Sequence, residues 1–346
     1  MLRIRTGAPG GLRWGVFGFA SVVAFLTLSS DLATAAPYAA IVVDGNSGAV
    51  LHSSNPDAQR HPASLTKIMT AYVTFEALKE GKLTMATRIS CSELAHSQAP
   101  SKVGLPVGAD MTVEKALQAL IIKSANDVAV MLAEAVAGSQ EEFVKRMNAT
   151  AARLGMTRTR FVNANGLPAA EQITTARDLA RLATAVVRDY PEHAQLWSMP
   201  EFRLGKIRLH SHNGLLANYA GADGMKTGFI CDSGFNVVAS ASRDGRKLIA
   251  VVLGEATGAD RALRAANLLE HGFQMQGWKA LFSAQTIETM PIPEDAKGPM
   301  TMRQAVISYE CGTRRPVAKT RAKKDQAAAK KAKSARRPAD AGSQQQ

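Results

Sequence analysis

Ser64 and Lys67 stand three residues apart, just after Pro62, in a run where Leu65, Ile68, Met69, Tyr72, Val73 and Phe75 recur at roughly helical spacing. This pattern predicts the first turn of an amphipathic helix, with Pro62 suited to its start. Residues three apart share a helical face, their Cβ atoms about 5–6 Å apart, so the amine can take the hydroxyl proton without any histidine. A helix N-terminus adds unpaired backbone N–H groups and the positive end of the dipole, a setting suited to a nucleophile whose product carries an oxyanion. Alone the pair is weak, because on most helices it is a cap plus a solvated cation. Two further groups add weight: Ser124 with Asn126 at a break between apolar runs, and Lys226-Thr227-Gly228 at the start of another.

The elements that must position these groups can be read in turn. Residues 38–43 and 49–51 flank Asp44-Gly45-Asn46-Ser47-Gly48 as a hairpin. The helix bearing Ser64 should run to about Lys79 and stop at Gly81. A strand-like piece at 88–90 precedes a helix opened by Thr112, whose apolar residues reach Ile122; the next helix starts near Asp127. Capping boxes at 139–142 and 175–178 open two more helices, with a loop at 161–167 between them. Residues 235–242 and 247–253 read as strands joined by an Asp244-Gly245 turn, and 260–273 as a closing helix. Strands at both ends with helices between them imply an α+β domain whose terminal strands share one mostly antiparallel sheet.

With 346 residues, 46% of them apolar, the chain can bury one large core. Its formal charge of +13 resembles a nucleic-acid signal until it is divided: residues 1–35 carry +2 and 314–346 carry +9, leaving +2 on the body. A nucleic-acid-binding body is therefore not expected. Arg3, Arg5 and Arg13, an apolar run over 15–28, and small residues up to Ala35 and Ala36 form the layout of a secretory signal peptide, too short in its apolar run to span a bilayer. The organisation expected is a signal peptide (1–35), a catalytic domain (36–278), a short extension (279–313) and a disordered basic tail (314–346) able to meet an anionic surface. Export permits one disulfide among Cys91, Cys231 and Cys311, in any pairing. No C-x-x-C or H-x-x-x-H spacing occurs, so neither a metal nor another cofactor is expected.

Ser64-x-x-Lys67, Ser124-x-Asn126 and Lys226-Thr227-Gly228, in that order, match the general signature of serine β-lactamases and penicillin-binding proteins. With the flanks Ala63 to Thr70, Ser124-Ala125-Asn126-Asp127, Asn165-Gly166-Leu167, Thr175-Ala176-Arg177-Asp178 and Asp223 to Phe229, residues 38–273 resemble the D-alanyl-D-alanine carboxypeptidase family of low-molecular-weight penicillin-binding proteins. The resemblance implies a β-lactamase/transpeptidase-like fold and an extracytoplasmic or periplasmic enzyme that trims peptidoglycan stem peptides ending in D-Ala-D-Ala and is inhibited by β-lactams. It makes Ser64 the nucleophile, Lys67 the acylation base and Ser124 the proton relay. It gives substrate contacts to Asn126, Lys226, Thr227, Gly228 and Arg261, and oxyanion donation to the backbone N–H groups of Ser64 and Phe229. Asn165 stands where some relatives have histidine. The 68 residues after 278 are too few and too polar for the β-rich domain and anchoring helix of better-known members.

Three competing readings share parts of this pattern. A peptidoglycan D,D-endopeptidase would use the same residues. A β-lactamase would need an activated deacylating water, and Glu171, the acid in the 161–175 loop, lacks an E-x-x-x-N setting. An idle peptidoglycan-binding module would be expected to have lost Ser64 or Lys67.

Overall fold

The computed structural model describes residues 38–275, 285–294, 296, 298–306 and 311. The expected signal peptide and basic tail lie outside the described residues. The chain opens with the hairpin β1 (Ala39–Asp44) and β2 (Val50–Ser54), and a 3-10 turn (Ala63–Leu65) leads into α1 (Thr66–Lys79). Next come β3 (Arg88–Ser90), α2 (Glu93–His96), β4 (Asp110–Thr112) and α3 (Val113–Gln118), which continues as a π turn (Ala119–Lys123). α4 (Asn126–Ala137), α5 (Gln140–Arg153), α6 (Ala176–Asp189) and α7 (Ala194–Ser198) complete the helical middle. β5 (Glu201–Leu204), β6 (Ile207–His210) and α8 (Leu215–Asn218) precede the long strands β7 (Ala222–Ile230), β8 (Gly234–Arg243) and β9 (Arg246–Glu255), and α9 (Gly258–Gln274) closes.

The five-stranded sheet has the order β2-β1-β9-β8-β7, with every neighbouring pair antiparallel. β1 therefore lies against β9, and the two ends of the domain meet in one sheet as the α+β reading requires. Alternation along the strands divides their side chains between two cores. Ala40, Val42, Val237, Ala239 and Val252 face Leu268 and Leu269 of α9. Ile41, Val43, Val238, Val251 and Leu253 face the helical middle. Strands covered on both faces read as near-continuous apolar runs, which is why β8 and β9 were legible. At their turn Asp244 and Gly245 both take positive φ, as an Asp-Gly hairpin needs.

Two expectations change. Ser64 lies in the 3-10 turn ahead of α1, and α1 is buried around its whole circumference rather than amphipathic, because the helical middle and the loop at 161–167 enclose it. The polar stretch after α6 contains α7 and the hairpin β5–β6, whose alternation is hidden by exposure of residues such as Ile207. The caps expected at Thr112, Ser139 and Thr175 each accept a backbone N–H, opening α3, α5 and α6.

The described residues after α9 pack on the body: Ala49 bridges Thr286, and Ile287, Met302 and Val306 are buried. Arg177 joins this segment to the core. Its guanidinium makes a bidentate pair with Asp57 at 2.7 Å, both side chains being buried, and donates to the carbonyls of Met290 and Pro291. Removing one partner of such a pair leaves a buried charge uncompensated. Asp57→Ala should therefore cost about 3–5 kcal/mol of stability, read as a lowered denaturant midpoint.

Candidate active site

Each of the three motifs comes from a different part of the fold. Ser64 is presented by the 3-10 turn, Ser124 is the residue capping the π turn, in a left-handed conformation at φ 62°, and Lys226 to Gly228 are presented by the edge strand β7. Two glycines let these pieces close on the serine. A Cβ on Gly166, itself at φ +88°, would lie 1.9 Å from the Ala63 carbonyl oxygen. A Cβ on Gly228 would lie 3.0 Å from the Ser64 backbone nitrogen and 3.0 Å from the Pro62 carbonyl oxygen. Asn236 on β8 fixes the turn from below, donating to the His61 and Pro62 carbonyls at 3.0 and 3.3 Å and accepting from Gly254 at 2.9 Å.

Lys67 is fully buried. Its Nζ lies 3.0 Å from Ser64 Oγ, 2.7 Å from Asn126 Oδ1 and 2.5 Å from the Asn165 carbonyl. The Asn126 amide cannot be turned the other way, because its Nδ2 donates to the Ala99 carbonyl at 2.8 Å. Lys226 Nζ donates to Ser124 Oγ at 2.9 Å and to the Thr227 carbonyl at 3.0 Å. Burial, then the charge of Lys226, pushes the Lys67 amine well below its ordinary value, with Asp127 opposing the shift. Burial and the charge of Arg261 bring Lys226 down to about 7.

These groups open on a groove of about 840 Å³ that also exposes Thr227, Phe229 and Arg261. Burial lowers the Arg261 guanidinium to about 10. The Phe229 ring stacks on Phe235, the centroids 4.3 Å apart, and both residues line the groove. Ser64, Ser124, Asn126, Thr227, Gly228, Phe229 and Arg261 line this groove, and Lys67 and Lys226 sit behind its two serines. Glu171 is not among them: it is exposed and paired with Arg160 at 3.0 Å.

Sequence reasoning missed Ser101, Lys123, His212 and Cys231, which also line the groove, and the buried support Asn236. His212 has its pKa lowered by burial and by Lys226, Lys123 and Arg261, a cluster invisible in one dimension. Asn165 acts through its carbonyl on Lys67, while its side chain donates to Gln98 at 2.7 Å. The disulfide is Cys231–Cys311, and Cys91 is a buried thiol.

Residues 27–257 match the family described as D-alanyl-D-alanine carboxypeptidase. The chain belongs to that family. D-alanyl-D-alanine carboxypeptidase DacC of Escherichia coli is 39% identical over 74% of this chain and 68% of its own length. DacA of Haemophilus influenzae is 37% identical over 67% of this chain and 61% of its own length. A cefotaxime-bound penicillin-binding protein of Listeria monocytogenes superposes with a TM-score of 0.62 at 32% identity, over 68% of this chain and 96% of that one. The β-lactamase-like α+β fold and the serine carboxypeptidase class expected from the motifs both hold.

Two outcomes follow from this packing. Gly166→Ala forces a side chain into the Ser64 turn and should cut β-lactam acylation at least about tenfold, beyond the roughly 1–3 kcal/mol of backbone strain seen in unfolding. In Lys226→Gln one positive neighbour of Lys67 is lost, so the protonated amine is less disfavoured and its pKa rises. The acidic limb of the acylation rate against pH should then move to higher pH, measured by stopped-flow with a chromogenic cephalosporin.

Proposed function

We propose that this chain is exported and removes the terminal D-alanine of peptidoglycan stem peptides through an ester on Ser64. The observation that carries this reading is the hydrogen bonding of Lys67. A neutral amine has two hydrogens and one lone pair; Asn126 Oδ1 and the Asn165 carbonyl occupy the hydrogens, so the lone pair is left facing the Ser64 hydroxyl 3.0 Å away. An amine whose charged form is disfavoured by burial and by Lys226 gives up its proton more readily than an ordinary lysine, which suits it to act as the base.

In the reaction Ser64 Oγ attacks the carbonyl of the D-Ala-D-Ala bond and its proton passes to Lys67. Backbone N–H groups of Ser64 and Phe229 hold the oxyanion. Ser124, hydrogen-bonded to Lys226, hands its proton to the departing nitrogen and is reprotonated at the expense of the Lys67 ammonium, so the C–N bond breaks, the ester remains and Lys67 is neutral again. Water then hydrolyses the ester, with Lys67 acting again as base. Thr227 and Arg261 bind the terminal carboxylate. Asn126 keeps one N–H and one lone pair free for the substrate peptide bond, and β7 offers its edge to the extended peptide. Benzylpenicillin enters as the same kind of amide and acylates Ser64. With Glu171 exposed and paired with Arg160, no carboxylate among the described residues lines the groove to speed deacylation, so the penicilloyl ester is expected to persist.

The organisation proposed is an export signal over 1–35 and a catalytic domain over 36–278, followed by the extension and tail, working outside the cytoplasm. Among the described residues no helix is long and apolar enough to cross a membrane. Intact-mass measurement of residues 36–346 after benzylpenicillin should show one persistent adduct, absent in Ser64→Ala, and a stem pentapeptide should release free D-alanine. Lys67→Ala should slow acylation by about 10²–10⁴-fold. Acylation at an undiminished rate in that variant would sink the role given to Lys67.

A further inference from the structure

β7 is an edge strand, held by backbone hydrogen bonds to β8 alone. Its last four residues, Thr227 to Ile230, line the groove, as does Cys231 just beyond them. The final rungs of the ladder pair Phe229 with Phe235 and Ile230 with Gly234. A strand end supported on one side opens readily, because few hydrogen bonds must break. The Phe229 N–H, assigned above to the oxyanion, must nevertheless stay within about 0.5 Å of its working position.

The turn beyond this strand end is tied to the segment after α9. Cys231 is bonded to Cys311. The carbonyl of Asp232 accepts from Met302 N at 2.8 Å. Its carboxylate accepts from Thr301 Oγ1 at 2.9 Å and from Nε and Nη2 of Arg303 at 3.0 and 2.8 Å. From within the turn, Ser233 Oγ accepts from Ile230 N at 3.1 Å. The segment does not need these ties to stay on the body, because Ile287, Met302 and Val306 are already buried there. Arg303 is exposed, so its pair with Asp232 is weak by itself, whereas the disulfide opens only to a reductant. We infer that the Cys231–Cys311 disulfide, with Asp232 beside it, is a positioning element for acylation, holding the end of β7 so that the Phe229 N–H stays on the oxyanion formed at Ser64. The role of that N–H rests on the acyl-transfer reading above. The disulfide acts through it and touches no reacting atom.

Reduction tests this without a substitution. A phosphine supplies two electrons and the sulfurs take up two protons to become thiols, while Cys91 is a thiol throughout. In the full chain, reduction should lower the maximal rate of acylation by a chromogenic cephalosporin about tenfold or more. The preceding non-covalent Kd should stay within about twofold and far-UV circular dichroism should not change, because Thr227 and Arg261 lie away from the turn. Reoxidation should restore the rate. Cys231→Ser combined with Cys311→Ser should show the same split and no longer respond to the phosphine. In the reduced protein Asp232→Ala should deepen the loss, and Asp232→Asn, which keeps an acceptor for Thr301 and Arg303, should recover most of it. A reduced protein that unfolds at lower denaturant but acylates at the oxidised rate would overturn the inference, leaving the disulfide a stabiliser only. A loss confined to Kd, or one accompanied by loss of circular dichroism, would overturn it too. An oxidised enzyme that acylates in this way yet releases no D-alanine from a stem pentapeptide would overturn the carboxypeptidase reading and leave the positioning role intact.

Discussion

The backbone of the Ser64 turn is gripped between two other backbones, and the rest of the site depends on that contact. Gly166 brings the loop at 161–167 against Ala63, and Gly228 brings β7 against Pro62 and Ser64. A Cβ at Gly166 would overlap the Ala63 carbonyl, and one at Gly228 would press on the Pro62 and Ser64 backbone. Closure places the Asn165 carbonyl on Lys67 from one side and Lys226 on Ser124 from the other. One steric condition thus positions Lys67, Ser124 and β7 around Ser64.

The electrostatics follow from the same closure. Two lysines are buried, and neither is paired with a carboxylate in hydrogen-bond contact; their direct partners are amide, hydroxyl and carbonyl oxygens. Desolvation disfavours both charges, and each cation disfavours the next, from Arg261 to Lys226 to Lys67, against the opposing charge of Asp127. An amine that in water would be protonated thereby loses its proton more readily. Acidic side chains within this cluster would reverse that effect, and the groove lining contains none among the described residues.

The helical middle and the sheet are held in register by polar groups remote from the chemistry. Arg177 binds Asp57 and the carbonyls that follow Ile287, and Asn236 ties β8 to the loop before Ser64. Both are buried hydrogen-bonding hubs whose partners are far away in sequence. Their satisfied geometry explains how a site assembled from so many segments stays within hydrogen-bond distances.

Local information was enough for much of this. The apolar runs of β1, β8 and β9, the caps at Thr112, Ser139 and Thr175 and the Asp244-Gly245 turn act over a few residues, so the sequence by itself determined the order of the main elements and the α+β class. The spacing of Ser64 and Lys67 also survived, because one helical turn sets it. Other features depended on segments meeting from opposite ends of the chain. The cysteine pairing, the burial of Lys67 on every side, the addition of Lys123 and His212 to the groove and the support from Asn236 have no local signature. Only the tertiary structure decided them, because burial and charge coupling depend on distance in space, which spacing along the chain does not encode.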